Sequence, residues 1–358
     1  MIIFNINFLP ARYGDSLWIE YGEEDKPNII LIDGGTGGTR KEIEELINEL
    51  PEPRHIELLV VTHIDQDHIE GILNILEEET LGFTLGSIWF NGWNHLPDNG
   101  TVEFFGPVQG ERLTAAILKH KLNWNIHFNK EAVVINEVGN LPEIILKDGF
   151  KITLLSPTRS NLIKLKQFWK KEVEDASLQP GFGLQIEEEN DEEIEVFGIE
   201  KPDIDELIKL PFKEDKTAAN GSSIAFLGEF AEKRVLFSGD SFPSVILHSL
   251  NRIEKDLFPI DLFKLSHHGS SSNTSPALIE KLDCKKFAIS TNGSRYEHPD
   301  DVTIARLIKL GGDETQLFFN YRTKYNEKWD DGILKLKYKY YTTYPDYNKE
   351  GLKIKLIE

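Results

Sequence analysis

Cysteine is nearly absent. Cys284 is the single one in 358 residues, which excludes an intramolecular disulfide framework and any cysteine-cluster metal site. Its neighbours Leu282, Asp283, Lys285 and Lys286 offer no base, so it reads as a structural thiol rather than a nucleophile. No apolar run approaches the roughly 20 residues that span a bilayer, and residues 1–8 lack the basic stretch of a secretion signal. A soluble cytoplasmic protein without membrane partners is expected. Basic residues are also in short supply: 40 Lys and Arg face 60 Asp and Glu, a formal net charge of −20. Such a surface repels polyphosphate at long range, so a nucleic-acid ligand would need a local basic track, a partner or metal ions. No repeat at solenoid periods is present.

What remains is enough for a large core, with 40% hydrophobic residues against 28% charged. Apolar or alternating runs at 2–8, 16–21 and 29–32, punctuated by Pro10, Gly14 and Gly34-Gly35, predict short strands and tight turns. Helical spacing over 41–50 stops at Pro51, and 56–61 is a near-continuous apolar run of the kind a buried strand shows. Further helices are expected over 69–79, 111–122, 242–255, 276–282 and 302–310. Further strands are expected over 152–155, 224–229, 234–237, 262–265 and 287–290. The segment 172–215 turns sharply acidic and reads as a solvated insertion or a docking surface for a protein partner. The alternation of 334–340 (Leu-Lys-Leu-Lys-Tyr-Lys-Tyr) predicts an edge strand guarded by lysines, in preference to a nucleic-acid platform.

The strongest chemical signal is Thr62-His63-Ile64-Asp65-Gln66-Asp67-His68, directly after the buried run. Two imidazoles and two carboxylates in one turn are the nitrogen and oxygen donors a divalent ion takes. Asp33 ends an apolar strand before Gly34-Gly35 and suits the support of a neighbouring ligand loop. Gly34, Gly35, Gly37 and Gly38 are followed by no Gly-Lys-Ser/Thr, so a nucleotide cradle is not expected. Asp240 ends another apolar strand, where it either caps the next helix or faces a metal. His267 and His268 close the strand 262–265. Adjacent strand residues point to opposite faces, so one of them, His267 in preference, is expected to face a metal. His298 sits in a loop before Pro299, in a supporting role, as an acid, or as plain loop structure.

The turn 63–68 resembles the H-x-H-x-D-H signature of metallo-β-lactamase-fold hydrolases, in the variant with Asp at the second His, as in the soluble domain of ComEC-type DNA-uptake proteins. Four further segments fall in the same order. They are Leu31-Ile32-Asp33-Gly34-Gly35, Leu236-Phe237-Ser238-Gly239-Asp240, Leu265-Ser266-His267-His268-Gly269-Ser270 and Arg295-Tyr296-Glu297-His298-Pro299. The opening Pro10-Ala11-Arg12-Tyr13-Gly14-Asp15-Ser16 is similar to standalone bacterial members, some of them in defence-type operons. The resemblance implies an α/β, four-layer αββα sandwich. A hydrolase domain would cover 1–320 with an insertion at about 172–215, and a β-rich extension, 321–358, would pack on the same domain.

The resemblance also implies two divalent ions, zinc or manganese. One would be held by His63, Asp65 and Asp240, the other by Asp67, His68, Asp240 and His267 or His268, with Asp67 and His298 in catalytic roles. The histidine that many members carry between these motifs is missing, and Asn220-Gly221-Ser222-Ser223 stands there, with Asn220 and Ser222 expected as supporting residues. The carboxylate-rich shell suits manganese as well as zinc. A hydroxide bridging the ions would attack a phosphodiester, and His298 or the outward-facing member of the histidine pair would protonate the leaving group. Two other functions follow from the same residues. One is hydrolysis of a small ester, lactone, thioester or cyclic nucleotide. The other is a non-enzymatic metal-binding subunit of an assembly, defence-related or otherwise.

Overall fold

The computed structural model describes residues 1–97, 108–176 and 202–357. The chain opens with the antiparallel strands β1 (Ile2–Phe8), β2 (Leu17–Glu23) and β3 (Asn28–Ile32). Helix α1 (Arg40–Glu49) then crosses to β4 (His55–Val60), which lies parallel to β3. Helix α2 (Gln66–Leu76) leads to β5 (Thr84–Trp89), parallel to β4, and helix α3 (Val108–Lys119) follows. This first sheet has the order β16-β1-β2-β3-β4-β5, where β16 is the late strand Leu352–Lys355.

The second sheet starts with β6 (Glu143–Ile145) and β7 (Lys151–Ser156), followed by helix α4 (Arg159–Ala176) and the short helices α5 (Ile204–Leu207) and α6 (Ala218–Gly221). It continues through β8 (Ala225–Phe230), β9 (Lys233–Phe237) and helix α7 (Pro243–Ile253). Strand β10 (Phe258–Ile260) precedes β11 (Leu262–Lys264), helix α8 (Pro276–Lys281), β12 (Leu282–Cys284) and β13 (Lys286–Ile289). Helix α9 (Asp301–Leu310), β14 (Thr315–Phe319), helix α10 (Gly332–Tyr338) and β15 (Tyr340–Thr343) complete it. Among the described residues its order is β15-β14-β13-β11-β9-β8-β7-β6, with β10 and β12 pairing apart.

The layers follow from which faces are apolar. Phe4, Ile6 and Phe8 of β1, with Leu58 and Val60 of β4, pack against Phe150, Phe226 and Leu154 of the second sheet. Ile56, Leu59 and Val61 turn the other way, under Ile43 and Ile47 of α1, Ile69, Ile72 and Leu76 of α2, and Leu113 of α3. The end of β4 is therefore buried on both faces, which is why Leu58, Leu59 and Val60 are apolar without alternation. Helices α7, α8 and α9 bury Ile246, Leu250, Leu278, Ile279, Ile304 and Leu307 on the outside of the second sheet. The result is an α/β sandwich in four layers, αββα. No helix among the described residues is long and apolar enough to cross a membrane.

Two segments differ from their sequence pattern. Residues 334–340 do not form the expected edge strand; 332–338 are helix α10 instead. Asp331 caps it, accepting from the N–H groups of Ile333 and Leu334. Leu334 and Tyr338, four apart, pack on the core while Leu336 between them is 84% exposed. A run of alternating apolar residues also contains an i, i+4 pair, and the cap decides which period wins. The edge strand is β15, immediately afterwards.

Most of the acidic segment 172–215, residues 177–201, lies outside the described residues. In the described part, Asp205 pairs with Lys309 at 2.8 Å, and Glu214 accepts from Ser244 N–H at 2.9 Å.

The loop after β3 lies so close to α2 that a Cβ on Gly34 would strike the Ile72 backbone, and one on Gly71 would strike the Gly34 carbonyl. This contact fixes where α2 begins, and with it the turn 63–68. We expect Gly71→Ala to cost about 1–3 kcal/mol through overpacking, read as a lower urea midpoint with an unchanged slope.

Candidate metal centre

Parallel strands bring the polar turns to one rim. Asp33 follows β3, Thr62 and His63 follow β4, Asp240 follows β9, and 266–269 follow β11. In open α/β sheets the carboxyl ends of strands are where ligands collect. Neither carboxylate turn is consumed by helix capping: Asp65 occupies the N-cap of α2 without a capping bond, and α7 is entered through Phe242 and Pro243, not Asp240.

The Asp240 carboxylate is the hub. Its Oδ2 lies 3.3 Å from Nε2 of His68, 3.8 Å from that of His63, and 3.9 Å from those of His267 and His268. His268 Nε2 is also 3.4 Å from Asp67 Oδ2, and His63 Nε2 is 3.5 Å from Asp65 Oδ2. Two donors each about 2.1 Å from one ion in tetrahedral geometry stand about 3.4 Å apart. The spacings here are of that size.

The buried atoms left without a hydrogen bond include Nε2 of His63, His68 and His268 and Oδ1 of Asp240 and Asp15. Buried polar atoms ordinarily find partners, and these orphans belong to side chains gathered at the cluster. The donor set fits one or two divalent cations. Asp15, His68, Asp240 and His268 form the tightest group, each offering a ligand atom within 4.8 Å of the others.

While the Nε2 atoms converge, the Nδ1 atoms are held from behind. Asp33 receives the Thr62 N–H and hydroxyl on its two oxygens, both at 2.7 Å, and its Oδ2 lies 2.8 Å from His68 Nδ1. His63 Nδ1 lies 3.0 Å from the Thr62 hydroxyl and 3.1 Å from that of Ser223. His268 Nδ1 meets the Ser290 carbonyl at 3.0 Å, and His267 Nδ1 meets Asn273 Oδ1 at 3.0 Å. Fixing one ring nitrogen aims the other.

Electrostatics bind the group together. Burial opposes charge on His68, but Asp240 and Asp33 outweigh it and hold its pKa well above the usual range. Burial likewise opposes charge on His268, and Asp15 and Asp240 raise it to about 10. Burial would raise Asp240 and Asp67. The neighbouring imidazoles, His68 foremost for Asp240 and His268 for Asp67, bring both below the ordinary value. For His267 burial prevails, and its pKa is lowered.

Several residues stand differently from their sequence reading. His267 and His268 do not alternate as strand neighbours, because β11 ends at Lys264 and both adopt left-handed conformations, φ 47° and 54°. Both therefore reach Asp240, with His268 fully buried and His267 on the solvent side. Ser222 does not face the cluster; its hydroxyl returns to the Ala219 carbonyl at 2.6 Å and closes α6. The adjacent Ser223 contacts His63 and receives the Asp240 N–H at 3.0 Å. Asn220 donates to Asp215 at 2.7 Å and lies 3.4 Å from His267 Nδ1. His298 sits at the rim, its ring 5.5 Å from that of His267, with Nδ1 2.9 Å from Asp300 Oδ1.

The sequence reading missed Asp15, Lys264, Asn273 and Asp215. Asp15 and Lys264 form an ion pair, 1% exposed on each side, beneath His268, whose Nδ1 is 3.6 Å from Asp15 Oδ1. A lysine inside the buried run 262–265 was the available signal, since such a charge requires a partner. Asn273 donates to Asp215 at 3.2 Å and to the Asp240 carbonyl at 3.1 Å.

Two outcomes are expected. Lys264→Met, measured by urea unfolding in EDTA, should cost about 3–5 kcal/mol by stranding Asp15, and Asp15→Asn added to it should return most of that. In the metal-free protein the raised pKa values keep His68 and His268 protonated near pH 7, so loading displaces those protons and tightens as pH rises. Titration calorimetry with manganese in two buffers of different ionisation heat should read about two protons released per loaded chain; none would mean that these imidazoles do not take the ion.

The sequence matches no protein-family model and no curated protein. Among solved structures, the chain is similar to zinc-bound PqqB from Methylobacterium extorquens (14% identity, 96% of this chain and 87% of that one, TM-score 0.42). It is also similar to a diphosphatase of the PhnP family (11%, 99% and 97%, 0.38). Human tRNase Z, short form, is a third (10%, 80% and 92%, 0.38). Against the CmlA beta-hydroxylase E377D mutant the chain spans 54% of the other's length, at TM-score 0.39. At 10–14% identity and TM-scores below 0.5, these likenesses leave the chemistry of the site to its own residues.

Proposed function

We propose that the chain is a metal-dependent hydrolase of the metallo-β-lactamase fold, ComEC-like in its motifs, that cleaves phosphodiester bonds. One observation carries the reading: four imidazole nitrogens stand within 3.9 Å of one buried carboxylate oxygen, and three of them make no hydrogen bond. His63, Asp65 and Asp240 would hold one divalent ion; Asp67, His68, Asp240 and His268 would hold the other, with His267 on the open side. When bound, the ions supply a water nucleophile of lowered pKa and neutralise charge at the attacked phosphorus.

The protein's own groups set the rest. Two ions give about +4, and Asp65, Asp67 and Asp240 with a hydroxide remove four, so an anionic diester is tolerated but not strongly drawn in. Asp33, Ser223 and Asn273 aim the imidazoles from behind. Asp300, held at about 2 against the pull of burial by its bonds to His298 and Ser271, fixes His298 through Nδ1 and leaves Nε2 to carry a proton to the leaving oxygen.

Purified protein with manganese should hydrolyse bis-p-nitrophenyl phosphate. Asp240→Asn and Asp67→Asn should each lose at least about a hundredfold in rate while keeping the wild-type far-UV circular dichroism. Activity retained in both variants would place the reaction elsewhere. Turnover of thioesters or lactones with none of the diester would move the assignment to ester hydrolysis.

A further inference from the structure

Beyond the cluster, the rim carries a cation with no ion-pair partner among the described residues; against burial, Tyr13 and, at longer range, Asp67 favour its charge. The guanidinium carbon of Arg295 lies 5.3 Å from the ring centroid of Tyr13 and 5.3 Å from that of Tyr296. The two rings stand 6.5 Å apart and nearly perpendicular, at 89°. No carboxylate lies within ion-pair distance of Arg295 among the described residues. Arg40, Arg54, Arg112, Arg234 and Arg322 each rest against an acid, whereas Arg252 and Arg306 donate to main-chain carbonyls.

The position adjoins the site. The Tyr296 ring is 6.5 Å from that of His267 and 6.0 Å from that of His298, and His267 reaches Asp240. The platform is also tied down. Asn292 N–H donates to the Arg12 carbonyl at 2.7 Å, joining the loop of Tyr13 to the loop of Arg295, and Glu297 N–H closes the second loop on Gly293 at 2.9 Å. Tyr296 is nevertheless 46% exposed, so much of its side chain remains open to solvent.

Resting on the hydrolase reading above, we infer that Arg295, clamped between Tyr13 and Tyr296, is the subsite for the nucleotide beside the scissile phosphodiester of a single nucleic-acid strand. The guanidinium takes that nucleotide's phosphate, and the exposed side chain of Tyr296 stacks its base. A near-neutral loaded site needs binding energy from outside itself, and a cation one ring away from His267 supplies it. The same geometry limits the ligand. One cation and two rings serve a short stretch of strand, and a net charge of −20 disfavours the many phosphate contacts a long duplex makes. Stacking reads every base alike, so little sequence preference follows.

The test uses the manganese-loaded full chain and a 5′-fluorescein octathymidylate with phosphorothioate linkages, whose binding is followed by anisotropy without turnover. Arg295→Ala and Tyr296→Ala should each weaken binding about tenfold. Arg295→Ala should also lower the slope of log K against log salt by about 0.7, and Arg295→Lys should keep that slope. Both alanine variants should hold the same metal and lose less turnover of bis-p-nitrophenyl phosphate than oligonucleotide binding. The subsite is refuted by absent binding in the wild type, by unchanged binding in both variants, or by equal loss of oligonucleotide binding and small-diester turnover. Binding that depends on Arg295 without any hydrolysis would overturn the hydrolase reading and leave the nucleotide subsite standing.

Discussion

A buried carboxylate ringed by imidazoles is the constraint to which the rest of the molecule answers. Asp240 is 2% exposed, and an isolated charge at that depth would be prohibitively costly. It persists because the imidazoles of His63, His68, His267 and His268 gather around it, His68 foremost among those that favour its charged form. That arrangement requires the ends of β3, β4, β9 and β11, which belong to two different sheets, to meet at one rim. The apolar packing between the sheets, Phe4 and Val60 against Phe150 and Phe226, therefore sets the separation on which the chemistry depends.

Each imidazole is held by the same logic with different chemistry behind it. A carboxylate backs His68, two hydroxyls His63, an amide oxygen His267 and a main-chain carbonyl His268. These supports raise basicity to different degrees, the carboxylate most. Behind His268 lies a further layer, the Asp15–Lys264 pair. It carries an extra carboxylate into the interior together with the cation that neutralises it, so the region stays polar without a net charge of its own.

Much of this was legible in the sequence, for identifiable reasons. The apolar run 56–61 followed by four potential ligands announced both a buried strand and a polar rim, because strands buried on both faces cannot hide their composition. The residues that support the histidines were harder to read. Ser222 and Ser223 are chemically identical neighbours, and only the closing turn of α6 decides which hydroxyl faces His63. Whether His267 or His268 points inward could not be taken from strand alternation, since the strand ends at Lys264, three residues before His267, and the turn is left-handed. The helix at 332–338 was hidden by an apolar pattern that satisfies two periods at once, and its cap at Asp331 is a single residue. Contacts such as Asp15 with Lys264 join positions 249 apart, and no local pattern encodes them.

Strand β16 pairs antiparallel with β1, residues 352–355 lying against 5–8. Strand β1 thus receives its outer neighbour from a segment that is synthesised far later in the chain. Until synthesis has passed residue 355, the amide and carbonyl groups along that side of β1 face solvent or another chain, in a segment as apolar as Ile-Ile-Phe-Asn-Ile-Asn-Phe. Between those two moments the nascent polypeptide carries an adhesive border, and pairing with β16 seals it.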